Sequence, residues 1–410
     1  MSAVLPSGST LTSPRAAAGD PAVIPALHPI PGPQPTDSAT TPAAAAGRAS
    51  VTDTLTPPLP RFAQIEPIGR CNLACRMCTV NDRGDEVAEL PFARFVELLD
   101  QMPALQELHL QGLGEPMLHP RFFDMVELAA ARGIRVSANT NLTLLTEARA
   151  RRCVTSGLSA LSVSLDGASA GVYESIRLKA SFAKVLRNLD RLVAARRQAG
   201  SALHIRGVMV LMRHNLAELP ALIELLHRHG VPELLVQRLS SDLTQPDLPR
   251  RYIPIHQYVN EAELRERDLP QAAQVFEQAR ALARRLGLKL CLPKLTPDAR
   301  TSPPPAGTAA AGPARPRCTW PWDQLYLTAA GELLPCCMVA TADRASFGKV
   351  FGQEAGQGAL PPAAPAAAAP VSTGLLDRWH GATAQAFRQA LGTDQPPAVC
   401  RSCALYHGTF

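Results

Sequence analysis

The sequence alternates strand-length apolar runs with helix-length amphipathic segments, and this alternation constrains the fold more than any other feature. The six apolar runs cover residues 63–68, 105–110, 134–138, 160–165, 203–211 and 234–237. Helical periodicity lies between them, over residues 91–102, 120–132, 146–157, 181–199 and 216–229. Strands that alternate with helices form parallel sheets through right-handed crossovers. The pattern therefore predicts an α/β fold, a partial (β/α)6 TIM-like barrel with its chemistry at the C-terminal ends of the strands.

Three segments rich in Pro and Ala interrupt this pattern and divide the chain. Residues 1–58 are predicted to be disordered, or to precede the true start of the protein, because they offer little apolar surface to bury. Residues 293–316 are predicted to be a linker, and residues 353–371 a surface insertion. The core domain would then span 59–292, ending in a helix near 271–286 and a strand near 288–292, and a small C-terminal domain would span 317–410.

Composition narrows the classes of protein to consider. The 410-residue chain carries a formal charge of +6, with its Arg residues scattered through helical stretches. Solvated helix faces explain this bias, and attraction to an anionic substrate or to RNA is the alternative. Nucleic-acid binding is disfavoured because no module of stacking aromatic residues accompanies the charge. No apolar run approaches the roughly 20 residues that span a bilayer, and no secretory signal begins the chain, so we expect a cytoplasmic protein.

Cysteine usage points to metal or redox chemistry. The chain has 10 Cys, and clustered cysteines in a cytoplasmic protein indicate metal binding rather than disulfides. Seven of them fall into two spaced groups, the first near residue 75 and the second in the C-terminal domain: Cys71, Cys75, Cys78, then Cys318, Cys336, Cys400, Cys403.

The first group has the spacing C-x3-C-x2-C and directly follows the first predicted strand. Three thiolates on one short loop can ligate three irons of a [4Fe–4S] cube, and fully ligated cubes usually take four Cys. The fourth iron would keep open coordination and could bind an amine and a carboxylate of a small molecule. A zinc site is the alternative, but zinc normally takes four ligands and no further Cys or His lies close in sequence.

This spacing, with Asn72 after the first cysteine, resembles that of the radical S-adenosylmethionine (SAM) superfamily. The resemblance implies an enzyme that reductively cleaves SAM at its [4Fe–4S] cluster to a 5′-deoxyadenosyl radical for hydrogen abstraction. Met77 precedes the third cysteine, where the superfamily often has an aromatic residue, and Met can still pack against an adenine ring.

A second signature follows the second predicted strand, in the sequence QGLGEP at 111–116. It resembles the glycine-rich GEP motif of the superfamily, whose backbone and acidic side chain would accept hydrogen bonds from the SAM amino group. The resemblance also assigns polar residues at and after the third and fourth strand ends to SAM. A plain turn or capping role is the alternative for each of them. The predicted SAM contacts are Gly114, Glu115, Pro116, Asn139, Ser164, Asp166 and Arg177.

The second cysteine group combines a predicted β-hairpin with a C-x2-C pair. Residues 325–327 and 333–334 flank a turn at 330–331, so Cys318 and Cys336 would lie at the two ends of the hairpin. Cys400 and Cys403 complete four thiolates, enough to saturate an auxiliary [4Fe–4S] cluster. Cys337 is an alternative ligand to Cys336, and a zinc ribbon is an alternative site. The pattern resembles the SPASM extension of radical SAM enzymes in its shortened, twitch-like form, which implies a role in electron transfer.

The predicted function is that of a radical SAM oxidoreductase or maturase that oxidises or rearranges a small-molecule substrate, sugar-like or cofactor-related. Modification of a peptide or protein side chain is the alternative, and a non-catalytic iron–sulfur electron-transfer protein is another. The reductant would be a protein such as flavodoxin or ferredoxin. No catalytic acid or base is assigned. Residues at strand ends that could line a substrate pocket are Glu66, His109, Gln111, Arg206, Gln237 and Arg238.

Overall fold

The computed structural model describes residues 54–81, 88–239, 243, 248–295, 318–351 and 374–407. The predicted insertion at 353–371, and most of the predicted linker and of the N-terminal segment, lie outside these ranges.

The strands, in chain order, are short and regular. They are β1 Phe62–Ile65, β2 Ala74–Cys75, β3 Glu107–Leu110, β4 Arg135–Thr140, β5 Leu158–Ser164, β6 Arg177–Leu178, β7 His204–Leu211, β8 Glu233–Arg238, β9 Lys289–Cys291, β10 Gln324–Leu327, β11 Glu332–Leu334 and β12 Gly348–Lys349. The helices are α1 Phe92–Asp100, α2 Phe122–Ala131, α3 Glu147–Thr155, α4 Ala170–Ile176, α5 Phe182–Gln198, α6 Leu219–Arg228, α7 Ile253–Ala262, α8 Leu269–Leu286, α9 Trp320–Asp323, α10 Leu375–Trp379, α11 Ala382–Leu391 and α12 Ala404–His407.

A ten-stranded sheet organises the fold, in the order β12-β11-β10-β1-β3-β4-β5-β7-β8-β9. Every pairing from β10 to β9 is parallel. The six predicted strands are all present, and helices cross between them, so the predicted α/β partial barrel is confirmed. Glycines with positive φ end the helices before β4 and β8, at Gly133 and Gly230.

The C-terminal hairpin continues this sheet. β10 pairs in parallel with β1, in a register that places Phe62 beside Gln324 and Ile65 beside Leu327. β11 then returns antiparallel to β10, and β12 antiparallel to β11. The hairpin predicted from the turn at 330–331 therefore exists, and it shares backbone hydrogen bonds with the first strand of the core.

Segments that follow strands near the two opposite edges of the sheet contact each other. The residues after β8 reach those after β11, where the Tyr252 hydroxyl bonds Thr341 Oγ1 at 2.9 Å and Arg251 pairs with Asp343. The helix that follows, α7, had no counterpart in the predicted pattern. Its apolar face packs into a small cluster with Met77 and Tyr252 beside the first cysteine group. This packing places α7 next to the candidate site.

Residues 54–58 differ from the prediction of an unstructured N-terminal segment. Their backbone carbonyls accept hydrogen bonds from C-terminal side chains, including Trp322 Nε1 to Thr54 O and Trp379 Nε1 to Pro57 O, both at 2.9 Å. These five residues therefore belong to the folded unit. Among the described residues, no helix has both the length and the apolar character that a membrane span requires.

Candidate active site

The first three cysteines lie just beyond the C-terminal end of β1. Cys75 is in β2, which pairs antiparallel with β6 and so brings Cys75 opposite Arg177. Burial raises the pKa of Cys78 to about 12, and the charges of Cys75 and Cys71 contribute to the rise. The three thiols are therefore within electrostatic reach of one another.

These thiols fit a cluster better than a single ion. Burial also raises the pKa of Cys71 and of Cys75, so without a cation the three would stay protonated at neutral pH. In the described ranges, no three His, Cys, Asp or Glu side chains converge on one point as a single metal ion requires. A cubane cluster binds each thiolate through a different iron, and its irons stabilise the thiolate form.

The glycine-rich loop after β3 lies directly against the chain that leads into Cys71. A Cβ atom on Gly114 would stand 1.9 Å from the carbonyl oxygen of Ile68, so only glycine fits there. The Glu115 amide donates to Arg70 O at 3.0 Å and fixes the same contact. The loop and the cysteine segment therefore form one backbone surface.

Both carboxylate oxygens of Glu115 are engaged by the protein. Oε1 accepts from Thr140 Oγ1 at 2.7 Å and from the Met117 amide, and Oε2 accepts from the Asn141 amide at 2.8 Å. Burial raises the pKa of Glu115 although these hydrogen bonds oppose the rise. Glu115 thus ties the loop to the end of β4, and its contact with SAM stays a prediction.

Asn141 joins the cysteine loop to β4, and the sequence analysis did not single it out. Its Nδ2 donates to Asn72 Oδ1 at 3.1 Å and approaches Cys71 Sγ at 3.7 Å. Its Oδ1 accepts from Thr143, whose hydroxyl in turn accepts from Asn72 Nδ2 at 2.7 Å. The sequence does carry a signal for Asn141, because it lies two residues after Asn139 in the polar run SANTN at the end of a predicted strand.

Asn139, a predicted SAM contact, has a buried side-chain oxygen. Its Oδ1 is buried and accepts no hydrogen bond from the described residues. A buried amide oxygen normally has a partner, so this atom fits a contact with a bound group. Ser164 ends β5, the neighbouring strand, and is half-buried.

Asp166 and Arg177 are bound to each other. Arg177 Nε lies 2.8 Å from Asp166 Oδ2, and both side chains are buried. Asp166 Oδ1 also accepts from the Val210 amide at 2.8 Å, while Arg177 Nη1 points to Cys75 Sγ at 3.8 Å. The two residues predicted as separate SAM contacts thus form one buried ion pair beside the cysteine loop.

The predicted pocket residues divide between two faces of the sheet. His109 bonds Ser137 Oγ at 2.8 Å and Gln111, and Arg206 bonds Ser162 Oγ at 2.8 Å, all on the inner face. Arg238 does not belong with them. Arg238 comes directly after Gln237 in β8, so its side chain is on the opposite face of the strand, and there it donates to the carbonyl oxygen of Leu264. The prediction of Arg238 as a pocket residue is therefore wrong.

Glu66 is a link between the core and the C-terminal hairpin. Its side chain is fully buried, and it accepts from the Leu113 amide at 2.8 Å and from the Ala329 amide at 3.1 Å. One carboxylate therefore holds the glycine-rich loop and the hairpin turn together.

The second cysteine group is assembled from three separate segments. Cys318 precedes α9, Cys336 follows β11, and Cys400 and Cys403 precede α12. Burial raises the pKa of Cys336 well above its ordinary value, and the charges of Cys337, Cys403, Cys400 and Cys318 raise it further. The other four thiols therefore lie within electrostatic range of Cys336, and their role as cluster ligands stays a prediction.

Residues 65–226 match the model of the Radical SAM superfamily. This part of the chain is a radical SAM domain. The match begins in β1, ends in α6, and includes the cysteine loop and the glycine-rich loop.

Two curated relatives each match less than half of this chain. The chain is 31% identical over 188 residues to the tungsten-containing aldehyde ferredoxin oxidoreductase cofactor-modifying protein of Pyrococcus furiosus, covering 44% of this chain and 51% of that protein. It is 32% identical over 161 residues to the mycofactocin maturase MftC of Mycobacterium ulcerans, covering 39% and 42%. The chain therefore spans about half the length, or less, of these relatives.

Solved structures extend the likeness of the fold beyond the radical SAM domain. Streptococcus suis SuiB bound to precursor peptide SuiA superposes with a TM-score of 0.58 at 14% identity, covering 85% of this chain and 70% of SuiB. That share exceeds what residues 59–292 alone could supply, so the shared fold includes C-terminal residues. Native anSMEcpe with bound AdoMet has a TM-score of 0.50 at 16% identity, covering 70% of this chain and 77% of that chain.

Proposed function

We propose that this protein is a radical SAM enzyme that holds one [4Fe–4S] cluster on Cys71, Cys75 and Cys78. The observation that carries the proposal is the fit between Gly114 and the Ile68–Arg70 backbone, which joins the cysteine loop and the glycine-rich loop at the C-terminal ends of β1 and β3. When bound, such a cluster supplies the electron that cleaves SAM to a 5′-deoxyadenosyl radical.

The chain's own residues would orient SAM beside this cluster. The backbone carbonyls of Gly114–Pro116 would accept from the amino group, although those of Glu115 and Pro116 also accept from the Leu118 and His119 amides. Asn139 Oδ1, which has no partner among the described residues, would be a further acceptor. Ser164 stands at the end of the next strand. Asp166 and Arg177 hold the polypeptide around Cys75 through their ion pair. The enclosing α7 cluster would exclude water from the same region.

We further propose an auxiliary [4Fe–4S] cluster on Cys318, Cys336, Cys400 and Cys403. The burial and mutual repulsion of these thiols support it, because several buried thiols become thiolates together only when metal compensates their charge. Four thiolates leave no iron open, so this cluster would transfer electrons. An external reductant such as flavodoxin or ferredoxin would supply electrons to the first cluster.

The substrate class is the finer part of the proposal. A cofactor-related small molecule accords with the Pyrococcus furiosus relative, which is named as a cofactor-modifying protein. A peptide is the second candidate, and it accords with the structural neighbour SuiB, which is described as bound to a precursor peptide, SuiA. Both readings are radical modifications in which the protein supplies orientation and an enclosed cavity.

The test is SAM cleavage by anaerobically reconstituted protein with dithionite, measured as 5′-deoxyadenosine. We expect product from the wild type and none from the Cys71→Ala/Cys75→Ala/Cys78→Ala variant. Cys153→Ala is the matched control, since Cys153 is buried in the core among apolar residues and should leave product formation intact. No product from a wild type shown to hold both clusters would favour the electron-transfer alternative.

A further inference from the structure

Arg206 is a buried cation on the inner face of the sheet. Its side chain is only 12% exposed, and Nε donates to Ser162 Oγ at 2.8 Å. Its nearest carboxylate is that of Glu233, whose Oε1 lies 4.0 Å from Nη1, at the outer limit of an ion pair. In the part of the chain that the structure describes, neither terminal nitrogen of Arg206 makes a hydrogen bond.

Glu233 is already committed to other cations. Its Oε2 pairs with His204 Nε2 at 2.7 Å and with Lys289 Nζ at 3.4 Å. All three of these residues begin their strands, so they lie at the N-terminal edge of the sheet. Arg206 is level with Glu233 in the β7–β8 pair, but neither of its terminal nitrogens donates a hydrogen bond to a described residue, so both are left for another partner.

The surroundings of Arg206 are polar and lie near the proposed SAM site. Strand register aligns Asn139 with Ser162 and Ser162 with Arg206. Adjacent strands are about 4.8 Å apart, so Arg206 lies about 10 Å along the sheet from Asn139. His109 faces the same interior, and burial lowers its pKa to about 4, with the charge of Arg206 contributing. His109 is therefore neutral and does not compete with Arg206 for an anion.

We propose that Arg206 is the anchor of a substrate subsite that binds an oxyanion, a carboxylate or a phosphate, inside the curled sheet. A guanidinium binds such groups through two parallel hydrogen bonds, and Nη1 and Nη2 are the nitrogens left for them. Ser162 fixes the plane of the guanidinium by accepting from Nε. The inference rests on the proposed function, since the anchor would place the substrate within reach of the SAM site.

The test compares small probes on the anaerobically reconstituted protein by thermal unfolding at constant ionic strength. The probes are acetate, its neutral counterpart acetamide, and inorganic phosphate. We expect the preferred anion to raise the melting temperature of the wild type by about 2–4 °C at ten times its Kd, and acetamide to leave it unchanged. The stronger of acetate and phosphate identifies the class of substrate group.

Three variants make the result specific. Arg206→Gln should abolish the shift, and Arg206→Lys should retain part of it because charge remains while the planar fork is lost. Arg280→Gln, on the exposed surface of α8, should keep the full shift. An equal shift in wild type and Arg206→Gln, or no shift with either anion in wild type, overturns the subsite. Formation of 5′-deoxyadenosine is measured separately, so failure of the subsite leaves the proposed SAM chemistry standing.

Discussion

The two cysteine groups bury their thiols by different means. The first lies within residues 71–78 and is held by loops that follow neighbouring strands of one sheet. The second joins residues 318, 336 and 400–403, and depends on how α9, the hairpin and α11 pack. A short loop loses little entropy on closing, whereas distant segments must be held by tertiary contacts. The first site should therefore be sensitive to local backbone fit, and the second to remote packing.

The largest effect on stability and iron content is expected from Gly114→Ala, which alters the first cysteine site and leaves the second unchanged. The new methyl would lie 1.9 Å from the Ile68 carbonyl oxygen, so the backbone of the glycine-rich loop or of the segment before Cys71 must move. We expect a loss of about 3 kcal/mol in the free energy of unfolding, measured with urea, and loss of iron from the first site.

Gly171→Ala is the matched control for this substitution. Nothing lies within 4 Å of its added Cβ, and Gly171 is in α4, so alanine should be neutral or stabilise by up to about 1 kcal/mol. Equal stability and iron content in the two variants would contradict the claim that the first site depends on the backbone fit at Gly114.

A smaller effect, confined to the second site, is expected from Arg388→Met. Arg388 is buried on α11, and it donates to the carbonyl oxygens of Pro321, Leu55 and Trp379 at 2.8–2.9 Å. Burial lowers its pKa to about 10, so its charge is costly, but three carbonyls lose their donor without it. We expect a net cost of about 2 kcal/mol, and iron falling from about eight to about four per chain.

Spectroscopy of the remaining cluster would show which site Arg388→Met affects. SAM should still perturb the electron paramagnetic resonance signal of the first cluster, and Arg280→Met on the surface of α8 should keep both clusters. Loss of the SAM-responsive signal together with the second cluster would show that the two sites are not independent.

The smallest effect is expected from Glu66→Gln, which tests the link between the two regions. Glutamine has a single acceptor oxygen, so either the Leu113 or the Ala329 amide loses its partner. We expect a cost of about 1–2 kcal/mol and faster hydrogen exchange in peptides covering both amides.

Glu277→Gln supplies the comparison for Glu66→Gln, because Glu277 is exposed on α8. It should leave the exchange of both peptides unchanged. If exchange quickens at only one of Leu113 and Ala329 in the Glu66 variant, Glu66 does not couple the loop to the hairpin.

The core strands were predictable because each carries its own signal. Apolar runs such as the one in β5, and the left-handed glycines before β4 and β8, follow from side-chain burial and backbone sterics within a few residues. The helix α7 was not predicted, and the reason is its environment. Its apolar residues Ile255 and Val259 pack in a cluster with residues from distant parts of the chain, among them Ile176 and Met212.

Residue roles at the site were less predictable than its position. The cysteines and the glycine-rich loop have sequence signatures, whereas the pairing of Asp166 with Arg177 depends on how β6 meets the cysteine loop. Arg238 was placed in the pocket because it ends a strand, although a shift of one residue along β8 reverses the face.

The sequence by itself determined the alternation of strands and helices, the first cysteine loop and the glycine-rich turn, because these features depend on residues that are neighbours along the chain. Tertiary structure alone decided that β10 extends the sheet beside β1, that Glu66 joins the hairpin turn to the glycine-rich loop, and that Arg206 on β7 donates to Ser162 on β5. These contacts join residues far apart in sequence, and their geometry depends on how the sheet curls and which segments pack against it.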